Sequence, residues 1–214
     1  RAFVEAAGGT NPRTNYMYVL HPQEREYRVA TCGDTFTGAD NGSWIMDGGP
    51  IWHEPSGLIL KFVAYNPATG VESPGYNATS SAFHVYAVRP EDIVASAEAA
   101  GPAYHWTKLD VSTGAVAWPT MQFRSGGVGN ISWTCNPFNG KVSALNGDNN
   151  QTTIWDLVPP AGHTDQAVAL ADTWTLTTRT VSPGIPEGNN GASGYSWFVY
   201  NRFRHSRRQR VYVY

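Results

Sequence analysis

Apolar and polar residues alternate along much of this chain with the period of two that belongs to strands, not helices. The alternating stretches come in pairs. "IWHEPSGLILKFVAYN" (51–66) and "SWTCNPFNGKVSALNGD" (132–148) share an aromatic, a Pro, a Gly-containing turn and then an alternating apolar strand. "WFVYNRFRHSRRQRVYVY" (197–214) keeps the strand–turn–strand form without the Pro and Gly. Each stretch predicts a β-hairpin. In the second, Val142, Ala144 and Asn146 fall on one face, with Ser143 and Leu145 on the other.

Further strands follow the first two hairpins in the same order. "AFHVYAV" (82–88) and "TTIWDLV" (152–158) read as third strands, "YHWTKLDV" (104–111) and "TWTLTTRTV" (173–181) as fourth strands. Tyr86 and Trp155 lie 69 residues apart, Trp106 and Trp174 68, whereas Trp52 and Trp133 lie 81 apart. Two strands recurring at nearly one spacing mark a repeat with insertions of variable length. The N-terminal region enters the same order midway, with "AFVEAAGGTN", "NYMYVLHP" and "REYRVATCG" as strands two, three and four.

Four antiparallel strands per unit, an aromatic on the last and Gly8-Gly9 after the second, match the plan of a propeller blade. "FVEAAGGTN…NYMYVLHP…EYRV" resembles a Kelch or galactose-oxidase-type blade, and the likeness extends in degenerate form over most of the chain. The fold expected is therefore all-β, a β-propeller of four-stranded antiparallel blades, with a β-sandwich or jelly roll as the alternative. The single domain 1–214 divides into a partial blade (1–33), two blades (48–113 and 129–181) and an opening hairpin (195–214). Propellers close with four to eight blades, so either the two ends join or further blades or subunits complete the ring. The chain starts at Arg1 without the regions of a signal peptide and stops within "QRVYVY", an apolar strand. Both ends read as those of a processed chain or a piece of a larger ring.

Composition narrows the function classes. Aromatics make up 13% and charged residues 15% of 214 residues, with 22 Gly and 14 Pro, a strand-and-turn profile. A net charge of −2 gives no field to draw nucleic acid, and no apolar run approaches a membrane span. Cys32 and Cys135 are the only cysteines; the blade register sets them on an outer and an inner strand, too far apart to pair. N-x-S/T sequons at Asn41, Asn77, Asn130 and Asn150 are candidate glycosylation sites and point toward an exported, extracellular protein.

In such a fold the loops entering the first strands converge near the axis, and their residues are the default ligand candidates. These are Asp47, His53 and Glu54 at the second unit, Arg124 in "FRSGGVGN", and the segment 187–195. Trp44, Tyr76 and Trp118 fall in expected loops, where an aromatic face could meet a sugar ring or a partner side chain. Trp106 and Trp174 are expected to pack between blades instead. His53-Glu54 is an adjacent base–acid pair, but neighbours on a strand face opposite ways, so it builds no site alone. The histidines have no metal-ligand spacing, "NGDNNQT" lacks a calcium-loop pattern, and the sialidase-type Asp–Trp spacing is not met. The copper ligands of galactose oxidase have no mapped counterparts, so neither metal nor cofactor is expected. "NRFRHSRRQR" (201–210) is an arginine-rich turn, solvated or facing an acidic partner such as a uronic polysaccharide.

The function expected is a noncatalytic, exported binding or assembly module for a carbohydrate or protein partner, with no catalytic residue assigned. The alternatives are a carbohydrate-active lyase or hydrolase whose active residues lie outside this chain, and a viral or filament surface subunit. Fold analogy does not choose among them.

Overall fold

The computed structural model describes residues 2–6, 16–21, 26–34, 50–65, 67–68, 79–80, 82–98, 100–119, 121–122, 131–146, 152–181 and 204–213. The first unit holds β1 (Ala2–Ala6), β2 (Tyr16–His21) and β3 (Glu26–Ala30), an antiparallel meander. The second holds β4 (Ile51–His53), β5 (Leu58–Ala64), the short β6 (Thr79–Ser80), β7 (Phe83–Val88), helix α1 (Pro90–Ser96) and β8 (Thr107–Lys108). After β9 (Val111–Ser112) and β10 (Met121–Gln122) comes the third: β11 (Ile131–Cys135), β12 (Val142–Asn146), β13 (Thr153–Val158), helix α2 (Gln166–Ala171) and β14 (Trp174–Thr180). A last hairpin pairs β15 (Arg204–Ser206) with β16 (Val211–Val213).

The second and third units repeat one plan. Each contributes four antiparallel strands, ordered β4-β5-β7-β8 and β11-β12-β13-β14 (the latter extended by β9 to a five-stranded sheet), with a short helix between its third and fourth strands. Pro90 at the start of α1 supplies a helical φ where no amide partner is needed, and Glu91 and Asp92 offset the positive helix end. Asp165 caps α2 by accepting from the Ala167 amide at 2.8 Å. The expected fourth strand over 104–111 is broken. Only β8 pairs within its own sheet, while β9 leaves to pair in parallel with β14 of the next unit. The first unit is stitched on in the same way, by a parallel bridge from Cys32 to Tyr104.

Strand β5 shows how the units pack. All seven of its residues are buried. Leu58, Leu60, Phe62 and Ala64 join a core with Trp133, Val142, Ala144 and Leu157 of the third unit, and Phe62 stacks on Trp133 at 3.9 Å. Ile59, on the opposite face, joins Met17, Val19 and Ala30 of the first unit in a second core. Lys61, also buried, holds its ammonium 5.4 Å from the Trp106 ring, a cation–π contact that partly replaces lost hydration. The middle sheet is thus sandwiched between neighbours, which explains why its strand reads as a continuous apolar run. Trp106 and Trp174 each sit in one of these cores between units, as expected.

The first strands line up along one side, β4 beside β11 and β11 beside β15. Helix α1 rests on β2 and β3 of the preceding unit, and Gln166 of α2 donates to the Gly57 carbonyl in the β4–β5 turn at 3.2 Å. Mostly antiparallel β structure therefore builds the chain, and among the described residues no closed ring or barrel is seen.

Candidate functional site

The hairpin turns repeat more closely than their sequences do. In the first two, the Gly57 amide donates to the His53 carbonyl at 2.9 Å and the Gly140 amide to the Asn136 carbonyl at 2.8 Å. Gly57 (φ 67°), Gly140 (φ 70°) and Arg210 (φ 54°) all close their turns in the left-handed region. Arg210 does so against a cost of about 1–2 kcal/mol for a residue with a Cβ. Its guanidinium lies 4.7 Å from the Phe138 ring of the neighbouring turn, which supplies an offsetting contact.

Counting back from each left-handed residue, Trp52, Cys135 and His205 occupy one equivalent position, and Glu54, Pro137 and Arg207 another. All six line a single cleft of about 220 Å³, together with Pro50, Ile51, Trp133 and Thr134. The same positions in three successive hairpins thus build one site. Glu54 of the first hairpin pairs with Arg207 of the third, across the second. The His205 amide donates to Thr134 Oγ1 at 3.3 Å, and desolvation lowers the pKa of the His205 imidazole. The Trp52 ring is 49% exposed at this site.

Matching Trp52 to Trp133 is therefore a register error, because the turn glycines lie 83 residues apart. Trp52 corresponds to Cys135. A slip of two residues preserves the face of every side chain, so alternation alone does not expose it.

His53 does not face the cleft. It is fully buried on strand β4, where its Nε2–H donates to the Gly140 carbonyl at 2.7 Å and its Nδ1 accepts from Ser56 Oγ at 2.6 Å. Its ring meets Trp174 edge-on at 5.1 Å. Burial, reinforced by the charge of nearby His163, lowers its pKa to about 4. It pins the next unit's turn and is corrected from ligand candidate to structural residue. Trp118 is corrected likewise, since it is buried among Phe83 and Trp133 in the larger core. Glu54 is the described candidate that the structure places in the cleft. Trp44, Asp47, Tyr76, Arg124 and the segment 187–195 lie outside the described residues, as do Asn41, Asn77, Asn130 and Asn150. Trp52 was missed as a site residue, and His205 and Arg207 were reached only as part of the arginine-rich turn 201–210; equivalent spacing from the left-handed turn residue was the signal that groups all three.

Neither cysteine thiol is activated as a nucleophile. Burial pushes the Cys135 thiol up to about 12, and burial also raises the Cys32 thiol, which lies beside Asp34. Neither cysteine is paired. His105 Nδ1 and Asp34 Oδ1 are in hydrogen-bond contact at 2.9 Å, and Asp34 also accepts from the Trp106 amide, so that carboxylate ties the first unit to the second. Among the described residues no group of three or more His, Cys, Asp or Glu could hold a metal, and no helix is long and apolar enough to cross a membrane.

Comparison with known proteins places this site in no established class: no family model, curated protein or solved structure matches the chain.

Proposed function

We propose that the units are blades of a β-propeller of Kelch or galactose-oxidase type, and that the chain is a noncatalytic, exported binding module whose ligand enters the cleft at the ends of the first strands. The observation that carries this reading is the Glu54–Arg207 pair. Packed sheets lie about 10 Å apart, so a straight stack would set equivalent turns two units apart at about twice that, more than the two side chains together span. First strands that fan in toward an axis, as blades do, would bring the two side chains within reach, and the pair supports that arrangement. Burial of β5 on both faces supports the same arrangement over a two-layer sandwich.

Binding is favoured over catalysis by the cleft's chemistry. Glycoside hydrolysis generally uses two carboxylates, and Glu54, the one acid among the described lining residues, is held by Arg207. An exposed tryptophan beside paired polar groups suits recognition of a saccharide. Export is supported by the four sequons. A glycan-array screen followed by a turnover assay on the bound glycans tests the reading. Binding that is lost in Trp52→Ala, with no product released, is the expected result. A released product peak would overturn the noncatalytic assignment, and an array with no bound glycan would overturn the saccharide.

A further inference from the structure

We infer that the cleft selects a carboxylate-bearing saccharide, a uronate chain, with Arg207 as the recognising group and Glu54 as an internal stand-in for the ligand's carboxylate. The inference rests on the proposed binding role and adds its chemistry. Arg207 and Glu54 face each other from turns two units apart, with side chains 64% and 40% exposed. An ion pair so open to water is held weakly, and a planar guanidinium fork accepts an incoming carboxylate in the same geometry as the resident one. The surroundings favour the exchange. Arg208 and Arg210 are exposed on the same turn as Arg207, so with Glu54 displaced this rim is cationic. Trp52 lines the same cleft and offers a flat apolar face for a sugar ring. One oligosaccharide can use both: a ring on Trp52 and a carboxylate on Arg207. An acidic peptide would satisfy the arginine but has less use for the tryptophan.

The test is calorimetric titration of the whole chain with tri-galacturonate, its carboxyl-reduced neutral counterpart, and a tri-glutamate peptide. The acid sugar should bind at least about tenfold tighter than the neutral one, and the preference should shrink as salt rises. Glu54→Gln removes the competitor without its bulk and should tighten acid-sugar binding about threefold or more, widening its margin over the neutral sugar. Arg207→Ala should erase the preference, and Arg207→Lys should restore only part of it; both sites are exposed, and circular dichroism verifies the fold. Equal affinity for acid and neutral sugars overturns the inference while leaving the binding role intact. Weaker acid-sugar binding in Glu54→Gln also overturns it, since Glu54 would then be a ligand contact. Tri-glutamate binding as tightly as the acid sugar overturns the saccharide assignment. Binding of none of the three probes, and of no glycan on the array, overturns both proposals.

Discussion

His53 ties the stability of the fold to pH. Its imidazole is wholly enclosed, shares its two nitrogens between Ser56 and the Gly140 carbonyl, and has a pKa lowered to about 4 from 6.5. Between those values the unfolded chain binds a proton that the folded chain does not, so stability rises with pH across the window. The contribution is fully present above pH 6.5, drains away as pH falls, and is gone below about 4. At 1.36 kcal/mol per pKa unit, the whole loss is about 3 kcal/mol. The reference is His53→Gln, whose amide can donate to the Gly140 carbonyl but does not titrate. Urea unfolding of both proteins at pH 7 and pH 4.5 should show the wild type losing about 2 kcal/mol more than the variant. Carboxylates elsewhere titrate in both and cancel in the difference. A parallel fall in the two proteins would refute the reasoning, as would an NMR titration placing the imidazole midpoint at 6.5 or above.

Three further outcomes follow from the packing. Gly140→Ala should cost more than Gly57→Ala, because a Cβ at Gly140 would lie 2.6 Å from His163 Nε2, whereas at Gly57 the nearest atom is Gln166 Nε2 at 3.3 Å. Both carry the left-handed penalty of about 1–2 kcal/mol, so the difference in chemical denaturation reports the crowding alone. Phe62→Ala removes the ring stacked on Trp133 between two units and should cost about 3–5 kcal/mol by urea unfolding; a loss below about 1 would place the units' contact elsewhere. With its thiol pushed up to about 12, Cys135, half-buried on the cleft wall, should react with a disulfide-exchange reagent at pH 8 more slowly in the folded protein than in the unfolded one; equal rates in the two states would contradict the raised pKa.

The strand plan was legible because its signals are local. Alternation and turn residues marked the hairpins 51–66 and 132–148 and the third strands, and the structure places β4, β5, β7, β11, β12 and β13 there. The helices escaped because each is a few residues long and wedged between strands, so its apolar positions lack the length to display a 3.6-residue period. Their end signals were nonetheless written out: Pro90 followed by Glu91 and Asp92, and Asp165 ahead of an alanine-rich turn. The break after β8 left no local trace, since Val111 pairs with a strand more than sixty residues away.

The cleft was harder to read for a reason that lies in strand geometry. Aromatics are the most visible landmarks in a degenerate repeat, and aligning Trp52 with Trp133 hid the equivalence that matters. Turn closure fixes register, while side-chain alternation repeats every two residues, so an alignment wrong by two looks as apolar as the right one. Anchored on Gly57 and Gly140, the chain instead pairs Trp52 with Cys135 and Glu54 with Pro137. The third hairpin resisted even that anchor, because the residue that takes the left-handed conformation is Arg210 and not glycine. Its arginine is tolerated where Phe138 of the preceding turn lies under the guanidinium. The same run of arginines that obscured the turn in sequence also supplies Arg207 to the cleft. In this chain the least glycine-like hairpin carries the charge that faces Glu54, so the turn that is hardest to recognise in sequence is the one that completes the cleft.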